Sequence, residues 1–281
     1  MKTQITRRAS LACFAAAPFA VPSLEATVDR AANGYVDVRK VRLWENTRKE
    51  FRESLEGGVL KAVIVPTGST EQHNEHLAMI HDTASVTLVA ELGALRVYPQ
   101  VLVATPVSVG ISPHWMDRKG TLSLKKETFL AVVYDICESL KTHGVANILV
   151  LNGHGGNAAP LQEAMPEFRR KLGINVQFNC YWDAYSPEII RKYMESNKAP
   201  GHAAEFETSF AMAAFPERIH WEGVDYEKAK SSLHIKDPES ARQEEQFARE
   251  AKLATTAKGE AMLAIAVDWL AGRLQRLIAG A

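Results

Sequence analysis

Six side chains able to ligate a divalent metal fall within a dozen residues of this sequence. The run Gly68-Ser69-Thr70-Glu71-Gln72-His73-Asn74-Glu75-His76 is closed by His81-Asp82 and directly follows an apolar stretch, 59–65. Carboxylates and imidazoles cost desolvation energy unless they are paired or coordinated, so packing alone does not gather them at a strand end. Glu71, His73 and Asp82 offer two carboxylates and an imidazole, donors suited to Zn²⁺, Mn²⁺ or Fe²⁺ rather than to a thiolate site. A second candidate, His154, stands in Asn152-Gly153-His154-Gly155-Gly156-Asn157. Its flanking glycines let the backbone turn tightly and approach a ligand closely.

The elements around these residues must bring them together. The spacing of Leu43, Trp44, Thr47, Phe51 and Leu55 predicts a helix over 41–56, stopped by Gly57-Gly58. Strands are expected at 59–65, 101–104, 147–151 and 174–181. Helices are expected from a cap at Asp82-Thr83 to about Arg96, over 126–142, to about Leu172 with a bend at Pro166, over 202–215, and over 259–278. The polar stretch 225–252 reads as surface helix or loop. Strand and helix alternate, which predicts an α/β fold with a largely parallel sheet covered on both faces. In such a sheet the ligand crevice lies at the carboxyl ends of the strands, where the Glu71 and His154 loops both emerge.

The composition suits this reading. The 281 residues can bury one large core, and nothing in them calls for a second folded domain. Zero formal net charge gives no electrostatic reason for a nucleic-acid or anionic-membrane partner. Three cysteines form neither a CxxC pair nor a disulfide framework, so Cys137 and Cys180 are expected as small buried hydrophobes. Near the N-terminus, Arg7-Arg8 leads into a short apolar stretch too short to span a bilayer. Residues 1–30 therefore read as a twin-arginine-type signal segment and 31–281 as the folded domain, with a periplasmic or exported location.

Three segments, in order, resemble the creatininase (creatinine amidohydrolase) family. They are Gly68 to His73 with Asp82, Asn152 to Asn157, and His202-Ala203-Ala204-Glu205-Phe206-Glu207-Thr208-Ser209. Gly120-Thr121-Leu122-Ser123-Leu124, with His114 upstream, is similar to a further family segment. The resemblance covers roughly residues 40–280. It implies a three-layer α/β/α sandwich and a two-metal hydrolase acting on non-peptide C–N bonds, assembled as a homo-oligomer. Carried over residue by residue, Glu71 and His154 hold one metal, His73 the other, and Asp82 bridges them; His202 matches the position implied in proton transfer. The family's namesake has a further Glu ligand two residues after the loop histidine, where this chain has Gly156. Glu207 is the candidate replacement.

Asn74-Glu75 stands where the family usually has Gly-Pro. With Gly156, this predicts a small-molecule amide other than creatinine. His114 and Trp182 are the substrate-binding candidates, with Trp115 and Trp221 as further aromatic side chains that could line a pocket. The expected cofactors are two divalent ions, zinc first, manganese or iron(II) as alternatives. His202, with a near-neutral pKa, is expected to pass a proton to the leaving nitrogen. Glu205 is expected to be a solvated helix charge, and Glu75, His76 and His81 to shape the pocket around the metal ligands. Two other readings fit the same residues: a deformylase-like or peptide-trimming hydrolase, and a non-catalytic exported metal-binding protein.

Overall fold

The computed structural model describes residues 38–224 and 237–280. The expected signal segment, with Cys13, and residues 225–236 of the polar stretch lie outside them. Four strands form the centre: β1 (Ala62–Thr67), β2 (Val101–Val103), β3 (Asn147–Asn152) and β4 (Asn175–Cys180). All pair in parallel in the order β2-β1-β3-β4, with Ala62 opposite Val101, Val63 opposite Ile148 and Asn147 opposite Asn175. Every residue of β1 is buried, as a strand covered on both faces requires.

The helices of the first half are α1 (Arg48–Glu56), α2 (His81–Arg96), α3 (Lys126–Thr142) and α4 (Gly155–Leu172). Those of the second half are α5 (Pro187–Tyr193), α6 (Glu205–Ala214), α7 (Pro238–Ala251) and α8 (Thr256–Ala279). The two-residue period of the strands divides the core. Ala62, Ile64, Leu149 and Leu151 pack with apolar residues of α2, α6 and α8. Val63, Val65, Ile148 and Val150 pack with those of α3 and α4. The result is the expected α/β/α sandwich. The chain leaves β1 to form β2 on one side, then returns across β1 to form β3 on the other. Their exits therefore diverge at a topological switch point, where such sheets bind ligands.

Several boundaries differ from expectation for local physical reasons. Residues 41–56 do not form one helix; two 3₁₀ turns, Val38–Val41 and Leu43–Glu45, precede α1. Thr47 Oγ1 accepts from the Glu50 N–H (3.2 Å) while the Glu50 carboxylate accepts from the Thr47 N–H (2.7 Å), so a capping box starts the helix at Arg48. Strand β1 starts later and runs through Pro66 to Thr67; Pro66 pairs with Leu151, and its carbonyl accepts from the Val107 N–H beyond the end of β2. Asp82-Thr83 does not cap α2, which begins at His81, because Asp82 turns into the crevice instead. Helix α4 continues through Pro160 and Pro166 to Leu172. Helix α6 begins at Glu205 rather than His202, since Ala203 at φ 46° breaks the helical path. Cys137 and Cys180 are buried free thiols, as expected.

Helices α6 and α8 touch backbone to backbone. A Cβ at Gly259 would lie 1.9 Å from the Ser209 carbonyl oxygen and 2.9 Å from Ala213 Cβ. Gly259→Ala must push the helices apart, and a loss of about 1–3 kcal/mol is expected in urea unfolding. At Gly272 on the same helix the nearest atom to a new Cβ is Arg276 Nη1 at 3.7 Å. There the Ala substitution should instead raise stability by about 0.5–1 kcal/mol through helix propensity alone.

Candidate metal centre and active site

Five expected ligands converge at the switch point, all buried. Glu71 and His73 come from the loop after β1, Asp82 from the first turn of α2, His154 from the end of β3, and Glu207 from the first turn of α6. Asp82 divides its carboxylate between two imidazoles, with Oδ1 3.1 Å from His73 Nε2 and Oδ2 2.9 Å from His154 Nδ1. Glu71 Oε1 lies 3.4 Å from His154 Nδ1, and Glu207 Oε2 lies 3.6 Å from His73 Nε2. Two donor sets result, Glu71–Asp82–His154 and His73–Asp82–Glu207, each with its atoms within 4.8 Å of one another. Glu71, His73 and His202 make a third set that meets the same criterion.

The outer contacts decide which imidazole nitrogens are free. His73 Nδ1 lies 3.1 Å from the Glu71 carbonyl oxygen, and His154 Nε2 lies 3.0 Å from that of Ile111. A carbonyl only accepts, so these nitrogens carry hydrogens, and His73 Nε2 and His154 Nδ1 are the ring atoms that donate to Asp82 here and would turn a lone pair to a cation once deprotonated. Metal-binding histidines are oriented in this way. Glu71 Oε2 is buried without a hydrogen-bond partner, a costly arrangement that a cation would relieve. The residues thus fit a pair of divalent cations.

The electrostatics are those of crowded acids and imidazoles. Burial raises the Glu71 pKa, and Asp82 adds to the rise. Burial also pushes Glu207 up, to about 8, with Asp82 adding to it and His73 opposing. Burial would raise Asp82 too, but His73 and the hydrogen bonds from both histidines hold it below the usual range. Burial disfavours the His73 cation, yet Asp82, Glu207 and Glu71 together lift its pKa to about 10. A bound cation would replace these protons, since ligation requires deprotonated side chains.

Asparagines hold the loops in register. Asn152 Oδ1 accepts from the His154 N–H (3.2 Å) and Thr67 Oγ1 (3.1 Å), while Asn152 Nδ2 donates to the His154 carbonyl (2.7 Å). Asn157 Nδ2 donates to the Gly68 carbonyl (3.0 Å), and its Oδ1 accepts from the Ile111 N–H (2.9 Å). Sequence reasoning quoted both asparagines without giving them a role. It also missed Ser112, whose Oγ lies 3.2 Å from His154 Nε2 and 2.8 Å from Ser69 Oγ. Nothing in the sequence between Gly110 and Trp115 showed that the backbone at Ile111 crosses His154.

His202 lies in the loop before α6, with Nδ1 3.6 Å from Glu71 Oε1. Its ring stacks on Trp115 (4.4 Å between centroids) and meets His73 and Phe247 at 4.6 and 5.7 Å. Burial, reinforced by His73, holds its pKa well below the ordinary histidine value, in contrast to the near-neutral value expected. His114 is exposed, its ring parallel to that of His154 at 6.2 Å. Trp182 packs partly buried against the first core face, edge-on to Tyr181, while Trp221 is exposed. His76 and His81 are buried beside the ligands, on Thr208 Oγ1 (2.9 Å) and Ser85 Oγ (3.3 Å). Burial lowers their pKa values to about 4 and about 3.

Glu205 is not solvated. It is fully buried, accepts from the Glu195 and Ser196 N–H groups at 3.0 and 2.7 Å, and pairs with Lys258. It anchors the loop that presents His202.

The absence of a glutamate at 156 has a steric cause. A Cβ there would lie 2.0 Å from the Ile111 carbonyl oxygen and 2.6 Å from His154 Nε2. The carbonyl that orients His154 therefore occupies the space a side chain needs. Helix α6 brings a carboxylate to the cluster from the other side, with Glu207 Oε2 3.6 Å from His73 Nε2 and accepting from the Ala203 N–H at 2.6 Å. Gly156→Ala should destabilise the protein by about 1–3 kcal/mol in a denaturant titration. Gly156→Glu should not restore metal binding to a Glu207→Gln background, as read by elemental analysis of the double variant.

Comparison with known proteins agrees with this fold. A solved zinc–zinc form of a creatininase mutant superposes with a TM-score of 0.71 at 25% identity, over 84% of this chain and 97% of that one. The 3-dehydro-scyllo-inosose hydrolase of Thermotoga maritima is 32% identical over 64% of this chain and 58% of its own length. The creatinine amidohydrolase of Pseudomonas putida is 27% identical over 66% of this chain and 76% of its own. Residues 44–274 match the family model described as creatininase, creatinine amidohydrolase. That match takes in both loops, the first turn of α2 and the first turn of α6, and the chain belongs to the creatininase family.

Proposed function

We propose that this protein is a metal-dependent amidohydrolase that cleaves a non-peptide C–N bond in a small cyclic or linear amide. The observation that carries this reading is the placement of Asp82, one oxygen toward each of two donor sets. Glu71 and His154 would hold one cation and His73 and Glu207 the other, with Asp82 shared. Imidazole and carboxylate donors suit zinc first, with manganese or iron(II) as alternatives. Cations bound there supply Lewis-acid polarisation of an amide carbonyl and a lowered pKa for water.

The chain's own side chains orient and finish the reaction. Hydrolysis adds a water oxygen to the carbonyl carbon, breaks the C–N bond and leaves one water hydrogen on the departing nitrogen. We assign to His202, at the wall of the ligand cluster, a hydrogen bond to that nitrogen as it departs; its position 3.6 Å from Glu71 Oε1 supports this. The Trp115 ring behind it forms an aromatic wall, and His114 stands at the mouth. We assign the aromatic contact with substrate to Trp115 rather than Trp182, which packs toward the core. Gly156, together with Asn74 at φ 52° and exposed Glu75, supports a substrate other than creatinine. The Arg7-Arg8 segment supports export to the periplasm, and the family resemblance supports a homo-oligomer.

Elemental analysis joined to an amide panel tests this reading. The panel should hold creatinine, other cyclic amides, formamides and short peptides, with 3-dehydro-scyllo-inosose, which has no C–N bond, as the non-amide member whose preferential turnover overturns the amide reading. Two metals per chain with turnover of a non-peptide amide is the expected result. Preferential cleavage of formamides or peptides moves the protein to the deformylase-like or peptide-trimming reading. Two metals without any turnover makes it a binding protein. Glu207→Gln should lower metal content from two per chain toward one. His202→Ala should keep both metals while turnover falls by about 10²–10⁴-fold. Full activity in that variant removes His202 from the reaction.

A further inference from the structure

We propose that Gln72 is a positioning residue that fixes the tautomer of His202, so that the imidazole meets the substrate as a hydrogen-bond donor through Nδ1. This rests on the amidohydrolase reading above and specifies how His202 acts in it. The argument is one of donors and acceptors. Gln72 Oε1 lies 2.9 Å from the backbone nitrogen of Asn74. That nitrogen is a donor, so the atom facing it must be the amide oxygen, which fixes the amide of Gln72 in one orientation. The other end of the amide, Nε2, lies 2.8 Å from His202 Nε2. An amide nitrogen only donates. His202 Nε2 must therefore present its lone pair, and the hydrogen of the ring resides on Nδ1. A hydrogen on Nε2 would set N–H against N–H at 2.8 Å.

The parts of this pin are themselves held. Gln72 is buried, and its backbone N–H donates to Thr121 Oγ1 at 3.1 Å, tying it to the Gly120-to-Leu124 segment. His202 is confined between Trp115, His73 and Phe247, and Glu205 anchors the loop behind it. Ring rotation that would exchange the two edges of the imidazole is thereby opposed. Nδ1 faces the ligand cluster, 3.6 Å from Glu71 Oε1, while Nε2 is committed to Gln72. An imidazole in this state donates a hydrogen bond toward the reacting amide and has no lone pair on that side; the hydrogen stays on the ring, and the departing nitrogen takes its hydrogen from the water. A neutral histidine used as an electrophile elsewhere works by the same chemistry. Gln72, between Glu71 and His73 in sequence, thus orients a group that lies against both.

The test reads the tautomer directly, in zinc-loaded, 15N-histidine-labelled protein, with His202→Gln as the assignment control. The expected spectrum shows His202 with a protonated Nδ1 and a lone-pair Nε2. Gln72→Glu places an acceptor where the donor stood and should move the hydrogen to Nε2. With the amide that turns over in the panel, kcat should fall by about 10²-fold, with KM and metal content little changed. Gln72→Met, which adds no charge, should give a mixture of tautomers and an intermediate kcat. An Nε2-protonated His202 in the unaltered protein overturns the proposal, as does a Gln72→Glu spectrum with the hydrogen still on Nδ1. A tautomer that switches while kcat holds supports the pin and overturns the role of His202 in the reaction.

Discussion

Three buried carboxylates share one crevice, and the rest of the structure answers to that. Glu71, Asp82 and Glu207 lie within reach of the same two imidazoles, and no described hydrogen bond or ion pair brings a lysine or arginine to them. Like charges at this spacing repel strongly when water is excluded. Without a metal the charge is met by protons: burial, with Asp82 adding to it, pushes Glu71 and Glu207 up, and the three carboxylates lift His73 to about 10. A divalent cation held by these donors would remove the conflict. Whatever binds the folded state alone also stabilises it, so a centre that strains the fold when empty of cations would become a clamp on it when filled.

The fold meets this constraint with rigid supports. Parallel strands β1 and β3 end side by side, and their loops leave in opposite directions, which opens space without breaking the core. Backbone carbonyls of Glu71 and Ile111 set the imidazoles, and the Ala203 N–H holds Glu207. Asn152 and Asn157 stitch the loops together, and the close contact of α8 with α6 at Gly259 fixes the helix that carries Glu207. Each support spends a polar group that would otherwise be buried without a partner. Positioning of this quality is what catalysis by oriented groups requires.

Much of the fold was legible because the strands are short, apolar and punctuated by glycine and proline. Four strands and their intervening helices stand close to where periodicity put them. The failures share a cause: side chains acting locally as caps or ligands outweigh the apolar pattern. Thr47 and Glu50 start α1 later than the spacing of Leu43 and Trp44 suggested. Asp82 reads as a helix cap in sequence and is a crevice carboxylate in space. Glu205 has the composition of a surface charge, yet at 0% exposure it holds two backbone N–H groups and a lysine.

By itself the sequence determined the chemistry available: carboxylates and imidazoles at two strand ends, and a third segment bearing Glu207 and His202. Spacing along the chain could do this because ligand type is a property of the residue, and strand ends in a parallel sheet all open at one edge. Only the tertiary structure decided how the donors group, which nitrogen of each histidine is free, and why position 156 is glycine. Those outcomes depend on atoms far apart in sequence, such as the Ile111 carbonyl lying across His154 or the Gln72 amide facing His202. Hydrogen bonds and steric exclusion act over about 3 Å and are set by where the backbone arrives, which residue type alone does not encode.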